Sequence, residues 1–123
     1  MKFLQPLELL SKFQSFSILD VRSLSEYQKS HILNAFHFPF DFVKEAQCRD
    51  ILHALDSLSL KQQIVIHCRL SLIRGPDSYQ KLLDCTKYDQ IWKSTQFYLL
   101  EGGFKAWETK YPFPHPFTII KNK

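Results

Sequence analysis

The sequence predicts an α/β domain in which a central parallel sheet carries helices on both faces. Two observations lead there. Short β-branched or aromatic runs alternate along the chain with segments of helical periodicity, the pattern of strands joined by helical crossovers. The 123 residues, 45% hydrophobic and 23% charged, supply material for one domain. A core of that size buries roughly two-thirds of the unfolded chain's surface, so neither a disulfide nor a structural metal is required. Residues 1–123 are read as a single domain, with the proline-rich stretch 112–123 as a C-terminal surface extension. No internal repeat, low-complexity tract or linker interrupts it.

The elements follow in order. Leu4, Leu7, Leu10 and Phe13, with Pro6 near the start, predict a short amphipathic helix with its apolar face inward. Ser17 to Val21 is a buried strand. Ser23-Leu24-Ser25-Glu26 matches a capping box, where hydroxyl and carboxylate satisfy free amides, so a helix runs from there to about Ser30. Ala35 to Phe38 is a second strand, stopped by Pro39. From Asp41 to about Leu60 the spacing of Phe42, Ala46, Ile51, Leu55 and Leu58 is helical, in one piece or two. Gln63 to His67 is a β-branched central strand. A helix over 76–86, a strand Phe97 to Leu100 and a helix Phe104 to Lys110 complete the pattern.

Composition excludes several classes. The longest apolar run is four residues, Phe97 to Leu100, far too short to cross a membrane. Gln5, Pro6 and Glu8 interrupt what would be the apolar stretch of a signal peptide. Three cysteines at scattered positions, 48, 68 and 85, make no disulfide framework and suit a reducing compartment, so a cytoplasmic or nuclear location is expected. Cys48 and Cys85 are read as packing residues, one of which could serve as a resolving thiol. Sixteen Lys and Arg against twelve Asp and Glu give a net charge of +4, which favours an anionic ligand. The basic residues are dispersed, so no nucleic-acid partner is expected. The dense group Lys121-Asn122-Lys123 reads as a frayed, solvated end.

In a parallel sheet of this kind ligands gather beyond the carboxyl ends of the strands. The central strand runs into His67-Cys68-Arg69-Leu70-Ser71-Leu72-Ile73-Arg74-Gly75-Pro76. A cysteine, five residues and an arginine, between a buried strand and a helix start, can wrap backbone amides around a tetrahedral oxyanion. The positive field there, with Arg69 and Arg74 nearby, favours the thiolate, the form that attacks. Arg74 offers a planar fork for two oxygens. Ser71 is placed to donate a hydrogen bond to the sulfur. The absence of glycine between Cys68 and Arg74 forces strain on bulky residues, with Ile73 the least suited. His31 and His37 lack metal-ligand spacing with any cysteine, so no metal is expected.

These motifs resemble those of a rhodanese-like domain, and within that superfamily the branch of M-phase inducer (dual-specificity) phosphatases and eukaryotic arsenate reductases. The likeness covers nearly the whole chain. Leu19-Asp20-Val21-Arg22, Glu26-Tyr27 and Ser30-His31-Ile32-Leu33-Asn34-Ala35 match the first half; His67-Cys68 through Arg74-Gly75-Pro76 and Leu100-Glu101-Gly102-Gly103-Phe104-Lys105-Ala106-Trp107 match the second. All three glycines of the chain lie in these motifs. Asn34 stands where the family usually has glycine, and asparagine tolerates the left-handed conformation.

The resemblance implies a three-layer domain with a central sheet of about five strands. It also implies Cys68 and Arg74 as catalytic residues, Arg69, Leu70, Ser71, Leu72, Ile73 and Arg74 as the substrate cradle, and Asp20, Arg22 and His67 as its supports. A five-residue spacer is associated in the family with phosphate or arsenate, a four-residue one with sulfur transfer. The first expectation is therefore a cysteine-dependent phosphatase acting on phosphotyrosine, phosphoserine, phosphothreonine or small aryl phosphomonoesters through a phosphocysteine. The alternatives, in order, are an arsenate reductase using glutathione and glutaredoxin, a non-catalytic binding module and a thiosulfate sulfurtransferase. The expected partner is a phosphorylated protein or small oxyanion, with no cofactor, no membrane contact and a monomeric state. Asp41, Asp77 and Glu101 are candidates for a leaving-group acid, and a monoanionic substrate that brings its own proton is the alternative.

Overall fold

Alternation along three strands builds the layers. The structure, a computed structural model, describes residues 1–120. In β2 (Ser17–Asp20), β5 (Gln63–His67) and β6 (Gln96–Leu100), successive side chains point to opposite faces. Leu19, Ile64, Ile66, Phe97 and Leu99 enter one apolar cluster, while Ile18, Val65 and Leu100 enter the other. The first cluster is covered by α3 (Phe40–Glu45), α4 (Cys48–Asp56) and α5 (Arg74–Thr86) through Val43, Ile51, Leu55, Tyr79 and Leu82. The second is covered by α1 (Pro6–Ser11) and α6 (Gly103–Lys110) through Leu9, Phe104 and Trp107. The result is the three-layer arrangement expected.

The central sheet is parallel throughout and has five strands, ordered β1-β6-β5-β2-β4, with β1 at Phe3–Leu4 and β4 at Phe36–His37. Leu19 pairs with Ile66 and Asp20 with His67, so Asp20 ends its strand beside the residue that precedes Cys68. The fifth strand, β1, is absent from the local sequence reading. Leu4 belongs to it and not to the first helix, which starts at Pro6 and gives way to a 3-10 turn over Phe13–Ser15. The reason is pairing: Phe3 and Leu4 align with Leu99 and Leu100, and two residues carry no periodicity of their own. Between Asp41 and Leu60 the helix is in two pieces, α3 and α4. Helix α2 (Leu24–Lys29) starts at the capping box, with Ser23 Oγ accepting from the Glu26 amide and Glu26 accepting from the Ser23 amide.

Two expectations are corrected. The stretch after residue 112 is docked: β7 (Thr118–Ile119) pairs antiparallel with β3 (His31–Ile32), and Thr118 Oγ1 accepts from the Trp107 indole at 2.9 Å. Phe117 lies against Phe13 with ring centroids 4.4 Å apart, so apolar burial holds the segment down. The tail reading for Lys121-Asn122-Lys123 lies outside the described residues. Cys48 and Cys85, read as separate packing residues or a resolving thiol, are joined to each other in a disulfide with a Cα–Cα distance of 5.2 Å. Packing of α4 against α5 brings the first residue of one helix beside the last turn of the other, and the inference of a reducing compartment loses that support.

Candidate active site

The loop between β5 and α5 begins with Cys68, buried at the end of the central strand. Gly75, in the first turn of α5, donates its backbone N–H to Cys68 Sγ at 3.2 Å. Glycine suits that approach, because a Cβ there would lie 3.0 Å from Leu99 Cδ1 and 3.3 Å from the sulfur, closer than an ordinary contact. The thirteen-residue helix aims its positive end at the same sulfur. Among the described backbone hydrogen bonds, none uses an amide of residues 69–73 as donor. Arg69, Leu70, Leu72 and Ile73 are exposed, and with Cys68 and Arg74 they line a shallow cavity of about 210 Å³.

From the other side the loop is held by α6. The Phe104 amide donates to the Cys68 carbonyl and the Lys105 amide to the Arg69 carbonyl, both at 2.9 Å. This contact explains the second glycine of Glu101-Gly102-Gly103: Gly103 has φ +63, and a Cβ on it would stand 2.5 Å from the Arg69 carbonyl oxygen. Arg22 forks onto Asp20, with Nε to Oδ1 at 2.9 Å and Nη2 to Oδ2 at 2.7 Å, and also reaches the Ser30 carbonyl at 2.6 Å. Its guanidinium lies 4.2 Å above the Phe104 ring. The His67 ring stacks on Phe104, and His67 Nδ1 donates to the Cys68 carbonyl at 3.2 Å. Asp20, Arg22 and His67 thus converge through Phe104 on the backbone that carries the thiol.

Burial works against the Asp20 charge, but the facing His67 and Arg22 outweigh it and hold the carboxyl below its ordinary value. His67 is pushed below its ordinary value, first by burial, although Asp20 opposes the shift. In the tautomer that donates from Nδ1, the buried Nε2 is left without a hydrogen-bond partner, 3.8 Å from Asp20 Oδ2.

Three details depart from the sequence reading. Arg74 does not stand with its fork free: Nη1 and Nη2 donate to Glu26 at 2.8 and 3.4 Å. That hydrogen bond is the largest cause holding the Glu26 carboxyl down to about 2, and it pushes Arg74 above its ordinary value. The sequence marks Glu26 as a helix cap and as part of the Glu26-Tyr27 match; its pairing with Arg74 spans 48 residues and has no local signal. Ser71 makes no hydrogen bond to the sulfur: its hydroxyl is buried without a partner, and the Gly75 amide takes the place expected for it. The left-handed loop residue is Ser71, at φ 57, while Ile73 sits at φ −127 ahead of α5. A small side chain takes the strained position at lower steric cost than a β-branched one. Asn34 adopts φ 65, as its type allows. His31 and His37 bond to the Tyr27 and Arg22 carbonyls, and no metal-holding cluster occurs among the described residues.

Residues 5–110 match the family model described as the rhodanese-like domain. The chain belongs to the rhodanese-like family. This rhodanese-like domain is 31% identical over 100 residues to arsenical-resistance protein 2 of Saccharomyces cerevisiae, covering 78% of the chain and 76% of that protein. It is 28% identical over 129 residues to a CDC25-like phosphatase of the same yeast, covering 89% and 83%. A solved yeast protein tyrosine phosphatase of the rhodanese family superposes with a TM-score of 0.78 at 29% identity, covering 95% of this chain and 90% of that one. Relatives of this rhodanese-like domain are thus named as phosphatases, an arsenical-resistance protein and an arsenate reductase, the branch its loop resembles. No helix of the described residues is long and apolar enough to cross a membrane.

Proposed function

We propose that this rhodanese-like domain is a cysteine-dependent phosphatase of phosphotyrosine, phosphoserine, phosphothreonine or small aryl phosphomonoesters. One observation carries the reading. The Cys68 thiol sits at the start of a five-residue loop whose amides 69–73 have no backbone acceptor, at the positive end of α5 and beside the Arg74 guanidinium. Such a cradle fits a tetrahedral oxyanion placed above the sulfur. Cys68 attacks phosphorus, the alcohol or phenol leaves, and water hydrolyses the phosphocysteine. Glu26 positions Arg74 by taking one N–H from each terminal nitrogen, which leaves Nε and the outer N–H groups for phosphate oxygens. Asp20, Arg22 and His67 brace the loop through Phe104.

Arsenate would fit the same cradle, and the likeness to arsenical-resistance protein 2 favours reduction as a second reading. The thiol donor would have to come from outside. Cys85 is bonded to Cys48 and lies eleven residues along α5 from Arg74, about 16 Å at 1.5 Å per residue. The test is a panel on purified protein: an aryl phosphate, arsenate with glutathione and glutaredoxin, and thiosulfate with cyanide. Aryl phosphate turnover that Cys68→Ser abolishes, without loss of folding or of tungstate binding, is expected. Turnover at the wild-type rate in Cys68→Ser would sink the assignment, and activity confined to arsenate would favour the reductase.

A further inference from the structure

A phosphomonoester with a poor leaving group needs a proton on the departing oxygen, and the Cys68 loop holds no carboxyl. The chain has twelve Asp and Glu residues, all of them among the described residues. Asp20 is buried and forked by Arg22. Glu26 is held ionised against Arg74. Glu8 accepts the Gln5 amide in the cap of α1, Asp56 the Trp92 indole, Asp84 the Gln80 amide, and Asp89 the amides of Ile91 and Trp92. Glu101 follows the loop-packing strand yet turns to Gln5 Nε2 at 2.7 Å, at the β1 edge. Asp41, Glu45, Asp50, Asp77 and Glu108 remain without a side-chain hydrogen bond among the described residues.

Of these five, Asp41 is the one that lines a cavity together with Arg74. The Phe38 amide donates to the Asp20 carbonyl and the Phe40 amide to the Val21 carbonyl, which ties the start of α3 to the carboxyl end of β2. β2 lies between β4 and β5, the strand that leads into Cys68, so the segment entering α3 is hydrogen-bonded to the strand adjoining the thiol's own. It lines a cavity of about 90 Å³ together with Arg22, Ser23, Phe40 and Arg74. A second cavity, also lined by Arg74, holds Cys68 and the exposed loop residues and no carboxyl, so Arg74 is common to both. Asp77 is exposed on α5 and lines neither.

We infer that Asp41 is the general acid that protonates the leaving oxygen, an inference that rests on the phosphatase reading. The Cys68 thiolate forms the S–P bond as the P–O bond breaks, the bonding pair stays on the leaving oxygen, and Asp41 delivers its proton there. In the second step Asp41, now a carboxylate, takes a proton from the attacking water as the new P–O bond forms and the S–P bond breaks. Thiolate and carboxylic acid are both restored, and the net reaction consumes one water. Of the charged residues that line the same cavity, Arg22 turns its guanidinium to Asp20 and the Ser30 carbonyl, and Arg74 pairs with Glu26.

The test uses leaving-group dependence, which a merely structural role would not produce. Asp41 is exposed, so Asp41→Asn is expected to fold. It should lower kcat about a hundredfold on phenyl phosphate, whose phenolate is a poor leaving group, and less than about threefold on a difluorinated coumarinyl phosphate, which departs unassisted. Asp41→Glu should recover part of the phenyl phosphate rate, and Asp77→Asn and Glu101→Gln should change neither substrate. Equal losses on both substrates, or no loss, would overturn the assignment of Asp41 while the phosphatase reading stands. Wild-type protein that hydrolyses neither ester would overturn the phosphatase reading and the acid with it.

Discussion

Gly103→Ala tests whether the tight seat of α6 on the loop sets the chemistry of Cys68. The added Cβ would stand 2.5 Å from the Arg69 carbonyl oxygen and 2.7 Å from the Cys68 carbonyl oxygen, on a backbone at φ +63. Holding alanine in the left-handed region costs about 1–2 kcal/mol. Relieving the contact moves the loop backbone by about half an ångström, which weakens the two hydrogen bonds from Phe104 and Lys105, each worth about 1 kcal/mol. The loss should total about 3 kcal/mol, which for a domain of this length lowers Tm by about 10–15 °C. The assay pairs thermal melting with the alkylation rate of Cys68, the single free thiol. Gly102→Ala is the control. At φ +76 its Cβ would meet Ala106 Cβ at 2.6 Å and touches nothing in the loop. Both variants should melt earlier, and at a temperature where both are folded only Gly103→Ala should alter the alkylation rate. The reasoning fails if Gly103→Ala melts within about 2 °C of wild type and alkylates at the same rate.

Arg74→Lys keeps the charge and loses the planar fork, so kcat/KM on an aryl phosphate should fall at least about tenfold with little change in Tm. Glu26→Gln should remove a pH-dependent part of the stability. The folded carboxyl is depressed to about 2 from 4.5, so its contribution is full above about pH 4.5 and is lost as pH falls toward 2. The pair with Arg74 is partly exposed, and after solvent screening the difference in acid denaturation should be about 1 kcal/mol. Cys48→Ser opens a loop of 37 residues and should cost about 3–4 kcal/mol in denaturant unfolding by the chain-entropy argument, while aryl phosphate turnover is unchanged. Loss of turnover in that variant would tie the disulfide to the site after all.

Much of the fold was legible because its signals act over a few residues. The strand Gln63–His67, the capped start of α2 and the helical character of the region between Asp41 and Leu60 are legible from alternation, a hydroxyl–carboxylate spacing and apolar periodicity, while its division into α3 and α4 is not. The loop from Cys68 to Arg74 was legible for the same reason: a thiol, its spacer and an arginine lie in one short stretch between a strand and a helix. Its inner geometry was not. Whether Ser71 or Ile73 bends into the left-handed region, and whether Ser71 or Gly75 reaches the sulfur, depends on how α5 and α6 press on the loop.

Helices on both faces of a parallel sheet, and the loop from Cys68 to Arg74, are legible from neighbouring residues alone, since alternation, caps and motif spacing are local properties. Long-range packing sets the rest: that Phe3–Leu4 and Thr118–Ile119 are strands, that Cys48 meets Cys85, that Glu26 holds Arg74 and that Asp41 lines a cavity with Arg74. Those pairings join residues as much as 96 positions apart along the chain. Two-residue strands and single side chains have no periodicity to announce them, and their partners come within reach only when the sheet and its helices have packed.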